Sequence, residues 1–185
     1  MVKLKGKDKL NKKISKIVKD LVGFKVKCKI SNIWQSLYYE NKIWINPIKT
    51  EVDLIQDEYW MEWMVKRYNW VPDSIFMFSL LHEIGHLKTQ EGMINFNSQE
   101  FVYSEDIESQ CDDDSVDLCI RGLTKSEDFK KVNLDYFSCP LEAIASDWAE
   151  IFYRSNTDRV NRAFEKIQKT LNKWYRKNGL IEGDD

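Results

Sequence analysis

A chain of 185 residues with 43% hydrophobic content and seven tryptophans holds enough apolar volume for one domain with its own core. Its formal net charge of -2 makes nucleic acid an unexpected partner, and no run approaches the roughly 18 apolar residues of a membrane-spanning helix. The N-terminus has no apolar signal segment, and Cys28, Cys111, Cys119 and Cys139 lack C-x-x-C spacing, so the expectation is a cytoplasmic protein with reduced thiols.

Leu10, Ile14, Ile17, Val18 and Leu21 recur at helical spacing before Gly23, which predicts an amphipathic first helix with a glycine stop. The period then changes to two: Phe24, Val26, Cys28 and Ile30 alternate with Lys25, Lys27 and Lys29, as in a strand with one wet face. The runs 33–39 and 42–45 flank Glu40-Asn41 and read as a hairpin ending at Asn46-Pro47. An aromatic-rich helix is expected over 51–68. A strongly apolar one follows from Ile75 to about Lys88, opened by Pro72-Asp73-Ser74.

The polar stretch through Gln99, punctuated by Gly92, Asn95, Asn97 and Ser98, reads as a loop. An acidic helix is expected over 105–121, stopped by Gly122, then a helix over 141–153 opened by Pro140, and a last one over 158–178 before Gly179. Only the extreme ends read as disordered. Eleven lysines crowd the first thirty residues while 100–117 is acidic, but the lysines alternate with Leu10, Ile14 and Ile17 as a solvated helix side does.

Both histidines of the chain lie in His82-Glu83-Ile84-Gly85-His86. Residues four apart share a helix face, so two imidazoles can grip one Zn2+ ion while Glu83 stands beside the remaining coordination position. A helix this apolar is central, so its polar side chains need a cleft or an ion to offset the cost of burial. Gly85 lowers helix propensity by about 1 kcal/mol relative to alanine, and a glycine so placed marks close approach of a backbone or ligand.

A catalytic zinc site takes three protein ligands plus water, and no third histidine exists. Glu142 is the favoured third ligand, because Ala145 and Ala149 share its face and let two helices approach closely. Glu108 is the rival, set among Asp112, Asp113, Asp114 and Asp117, and Cys139 is a further alternative. The acidic run lacks the spacing of a calcium loop.

The His82–His86 motif, the strand Ile43-Trp44-Ile45-Asn46 before it and the helix carrying Glu142 and Ala145 after it resemble the compact zinc peptidases of the gluzincin type, including the ImmA/IrrE-type proteins. The resemblance spans roughly 24–153. It implies an α+β fold, a small antiparallel or mixed sheet of about three strands on a mainly helical zincin-like domain, as a single domain over 1–185 with flanking terminal helices. It also implies His82, His86 and Glu142 as metal ligands and Glu83 as catalytic base. Ser146 stands where relatives carry an acid or amide, with Asp147 one place later.

The expected reaction is hydrolysis of a peptide bond in a protein or peptide substrate, with Glu83 taking the proton of the activated water. Residues 43–46 would pair with an extended substrate by strand addition. Tyr136, Tyr153 and Arg154 are candidate donors to the oxyanion. The alternative is a non-catalytic, metal-stabilised protein-binding module of the same fold. Glu83 argues against it, since a structural site has no use for a base at an open position.

Overall fold

The computed structural model describes residues 5–96 and 98–181, and the side chains of all of these except 38 and 90–102. The ends expected to be disordered lie outside the described residues. Among those residues the elements run α1 (Lys7–Val22), β1 (Lys27–Ile30), β2 (Gln35–Leu37), a 3-10 turn (Tyr38–Glu40), β3 (Lys42–Ile45), α2 (Glu51–Tyr68), α3 (Ile75–Phe96), α4 (Ser98–Ile120), α5 (Glu127–Ser138), α6 (Pro140–Ser155) and α7 (Thr157–Lys177). The class is α+β, mainly helical with one small mixed sheet.

The sheet order is β1-β3-β2, with β1 parallel to β3 and β2 antiparallel to it. Asn41 turns the hairpin at φ 47°, a left-handed conformation that asparagine tolerates better than most residues. Two side chains of α1 cover the outer edge of β1: the Cys28 N–H donates to Ser15 Oγ (2.8 Å) and the Ile30 N–H to Asn11 Oδ1 (2.9 Å). Among the described residues the edge at β2 has no second strand beside it. β3 therefore sits in the middle with both sides paired, so the expected strand addition at 43–46 is ruled out there.

Apolar stripes set the helix packing. Leu10, Ile14, Val18 and Leu21 of α1 face Val160, Ala163, Ile167 and Leu171 of α7, and Gly23 ends α1 at φ 84°. α2 opens with a capping box between Thr50 and Asp53. α3 runs through the centre: Met77, Phe78, Leu80, Leu81 and Ile84 are fully inaccessible. Burying five such side chains is worth on the order of 10 kcal/mol as an upper estimate, so the core fixes α3 and the polar groups it carries are held where the core puts them.

Two features differ from the sequence expectations. The polar stretch after Lys88 is no loop: α3 continues to Phe96 and α4 starts at Ser98, with residue 97 outside the described residues. Without a proline in that stretch, glycine and asparagine lower helix propensity by only about 0.5–1 kcal/mol each and do not stop a long helix. The second is α5, which no expectation covered. Ser126 caps it by accepting from the Phe129 N–H, and Phe129, Asn133 and Phe137 form its buried face at four-residue spacing.

Candidate metal centre

α3 and α6 approach closely because both are small where they meet. A Cβ on Gly85 would collide with the backbone carbonyl of Ala145, which is why a glycine sits in this otherwise apolar helix. On α6, Glu142, Ala145, Ser146 and Ala149 are all buried on one face. That contact brings Glu142 onto the histidines: its Oε2 is 2.9 Å from His82 Nε2, its Oε1 is 3.1 Å from His86 Nε2, and the two Nε2 atoms are 3.0 Å apart. One ligand atom from each of the three residues lies within 4.8 Å of the others, and all three side chains are buried.

The surroundings orient these groups. Ser146 Oγ lies 3.0 Å from His82 Nδ1, and the Trp60 ring meets the His82 ring edge-on at 4.9 Å. With the Nδ1–H donated to Ser146, His82 turns a lone pair at Nε2 toward Glu142 and His86. Ser146 thus orients the His82 ring. Asp147 points elsewhere. It accepts from the Arg67 guanidinium (2.8 and 2.7 Å) and the Tyr68 hydroxyl (2.7 Å), tying α6 to α2.

The electrostatics call for a positive charge. Burial opposes charge on His86, yet the carboxylates of Glu142, Glu83 and Glu108 together outweigh it and push the imidazole up to about 9. Burial likewise opposes ionisation of Glu142, but the two histidines hold its carboxyl well below the usual carboxylate range. His82 is pushed down by burial. Two ring nitrogens and a carboxylate converging without a cation between them would repel, so a proton or a metal ion must sit there. A tetrahedral zinc with bonds of about 2.0–2.1 Å separates its ligand atoms by about 3.3 Å. The observed 2.9–3.1 Å spacings open to that value with a few tenths of an ångström of movement. The donor set fits the ion.

Glu83, on the same helix, is buried, and burial followed by the field of Glu142 lifts its carboxyl to about 8 despite His86. His82, Glu83 and Glu142 line a cleft of about 400 Å³. Its walls come from the stretch 32–34 before β2, the N-terminal half of α2, the middle of α4, and α5.

The rival ligands fall outside the cluster. Glu108 is half-buried on α4, lifted to about 7 by burial and by Glu142, and is not among the converging atoms. Cys139 is buried at the start of α6 with its thiol pushed up to about 12 by burial, and it is no part of the cluster either. Of the candidate oxyanion donors, Tyr136 lines the cleft. Tyr153 is instead packed on Trp70, and Arg154 is exposed and paired with Glu150 at 2.6 Å. The sequence reading missed Trp60 and the α5 wall, and it named Ser146 without assigning it a role. The spacing of Phe129, Asn133 and Phe137 after a serine cap was the available signal for α5.

No protein-family model, curated protein or solved structure matches this chain. No helix among the described residues is long and apolar enough to cross a membrane.

Proposed function

We propose that this chain is a zinc-dependent metallopeptidase of the compact gluzincin type that its sequence resembles, acting on a protein or peptide substrate. One observation carries the reading: His82, His86 and Glu142 converge in a buried pocket that opens, past Glu83, into a substrate-sized cleft. A purely structural metal site is closed, whereas this one adjoins open space and has an unpledged carboxylate beside it. Bound to these three residues, zinc would supply a Lewis acid that polarises the peptide carbonyl and acidifies water.

The chain's own groups divide the remaining work. Glu83, lifted toward neutral pH, exchanges protons readily there: its carboxylate takes one from the attacking water and its carboxylic acid passes it to the leaving amine. Tyr136 stays protonated because burial and the carboxylates of Glu142 and Glu108 raise its phenol, so it is an O–H donor for the developing oxyanion. Ser146 and Trp60 hold His82 in orientation. The sheet edge left for an extended substrate is β2, continuous with residues 32–34 in the cleft wall, in place of β3. Four free thiols suit a reducing compartment, and we place the protein in the cytoplasm.

Incubation of the zinc-loaded protein with a proteome-derived peptide library, beside Glu83→Gln, tests this reading. The variant is expected to keep fold and metal while hydrolysis falls by about a hundredfold or more, the usual scale for losing a general base. Equal turnover by both proteins, or cleavage by neither, would reject it.

A further inference from the structure

The walls of the cleft have a chemistry that the hydrolytic machinery does not use. Lys49 is the single basic side chain among the described residues lining it, and Asp57 neutralises it in an ion pair. Setting aside Glu83, Glu142 and the paired Asp57, two acids remain. Asp53 is engaged by the Thr50 backbone and hydroxyl in the cap of α2, whereas Asp112 on α4 has no hydrogen bond or ion pair with any described residue. Glu108 lies one helical turn before Asp112 and adds to the same negative field.

The rest of the wall is aromatic, from Trp34, Trp60, Tyr136 and Phe137. Trp60 is 8% exposed, so part of its ring faces the cleft while the rest packs on Phe78 and Phe137. An aromatic wall with an unpaired carboxylate beside it is complementary to a side chain with an apolar stem and a cationic tip.

We infer that the cleft selects peptides with an arginine or lysine close to the cleaved bond, the stem lying on the aromatic wall and the cation meeting Asp112. This rests on the peptidase reading, but its test is a binding measurement that does not depend on turnover. In the Glu83→Gln background, fluorescent blocked hexapeptides carry one arginine, or its neutral isostere citrulline, walked through an alanine-glycine frame.

At one position or more the arginine peptide is expected to bind about tenfold tighter than its citrulline twin, the scale of a hydrogen bond to a charged group. Asp112→Asn is expected to bring the ratio toward one, and Asp112→Glu, which keeps the charge, to retain it. Equal binding of arginine and citrulline at every position would overturn the inference, as would an undiminished preference in Asp112→Asn. A preference measured in protein whose parent cuts nothing would uphold the cation subsite at Asp112 and sink the peptidase reading, with the placement beside a cleaved bond.

Discussion

Two helix pairs in this molecule are built on opposite principles. α1 and α7 meet through continuous apolar stripes, with lysines and arginines turned to solvent. α3 and α6 meet through a glycine and alanines, and enclose two histidines, two glutamates and a serine. The first pair has the composition that stability favours. The second buries ionisable groups whose desolvation is costly and whose mutual attraction seldom yields net stability. A fold does not need such a cluster, so its presence points to chemistry, and the two pairs should respond differently to substitution.

The largest effect is expected at the centre. Glu142→Ala removes one of three proposed ligands and should weaken zinc binding by more than about a hundredfold, beyond the ten- to hundredfold typical of outer-shell groups. Glu108→Ala should leave affinity within about tenfold. A competition titration against a chromophoric chelator checks both, and the reverse ranking would move the ligand to α4.

At the other pair, Ile167→Ala should cost about 2–5 kcal/mol in stability, as for other buried aliphatic truncations, without changing zinc affinity per folded molecule. Urea unfolding beside the same titration reads both quantities. A loss of affinity with little loss of stability would erase the distinction between the pairs.

Gly85→Ala gives a smaller and sharper contrast. In an exposed helix the change would gain about 1 kcal/mol in propensity. Here the added methyl meets the Ala145 backbone, which has no rotamer by which to yield, and overpacking of this kind costs about 1–3 kcal/mol. A net loss of stability together with weaker zinc binding is expected, because the α3–α6 spacing sets the ligand separation. A stabilised variant with unchanged affinity would show that the close approach is incidental.

Much of this was legible in the residues. Helical spacing in α1, α2, α6 and α7 carried directly into the fold, and the His82–His86 spacing with the alanines beside Glu142 located the converging groups. What escaped depended on long-range contact. Ser146 reads as a departure from a motif until its hydroxyl is found on His82, and β3 reads as a hairpin strand with one edge open until β1 pairs with that edge. The continuation of α3 escaped because polar residues mark a loop only statistically, and α5 because Asn133 interrupts its apolar face.

Metal content tests the central claim most directly. Purified wild-type protein and His82→Ala, dialysed against a slight excess of zinc and then against weak chelator, would be assayed for bound metal by mass spectrometry. One zinc per chain is expected in the wild type and almost none in the variant. Stoichiometric zinc in His82→Ala, or none in the wild type, would contradict the proposed centre and the hydrolytic function built on it.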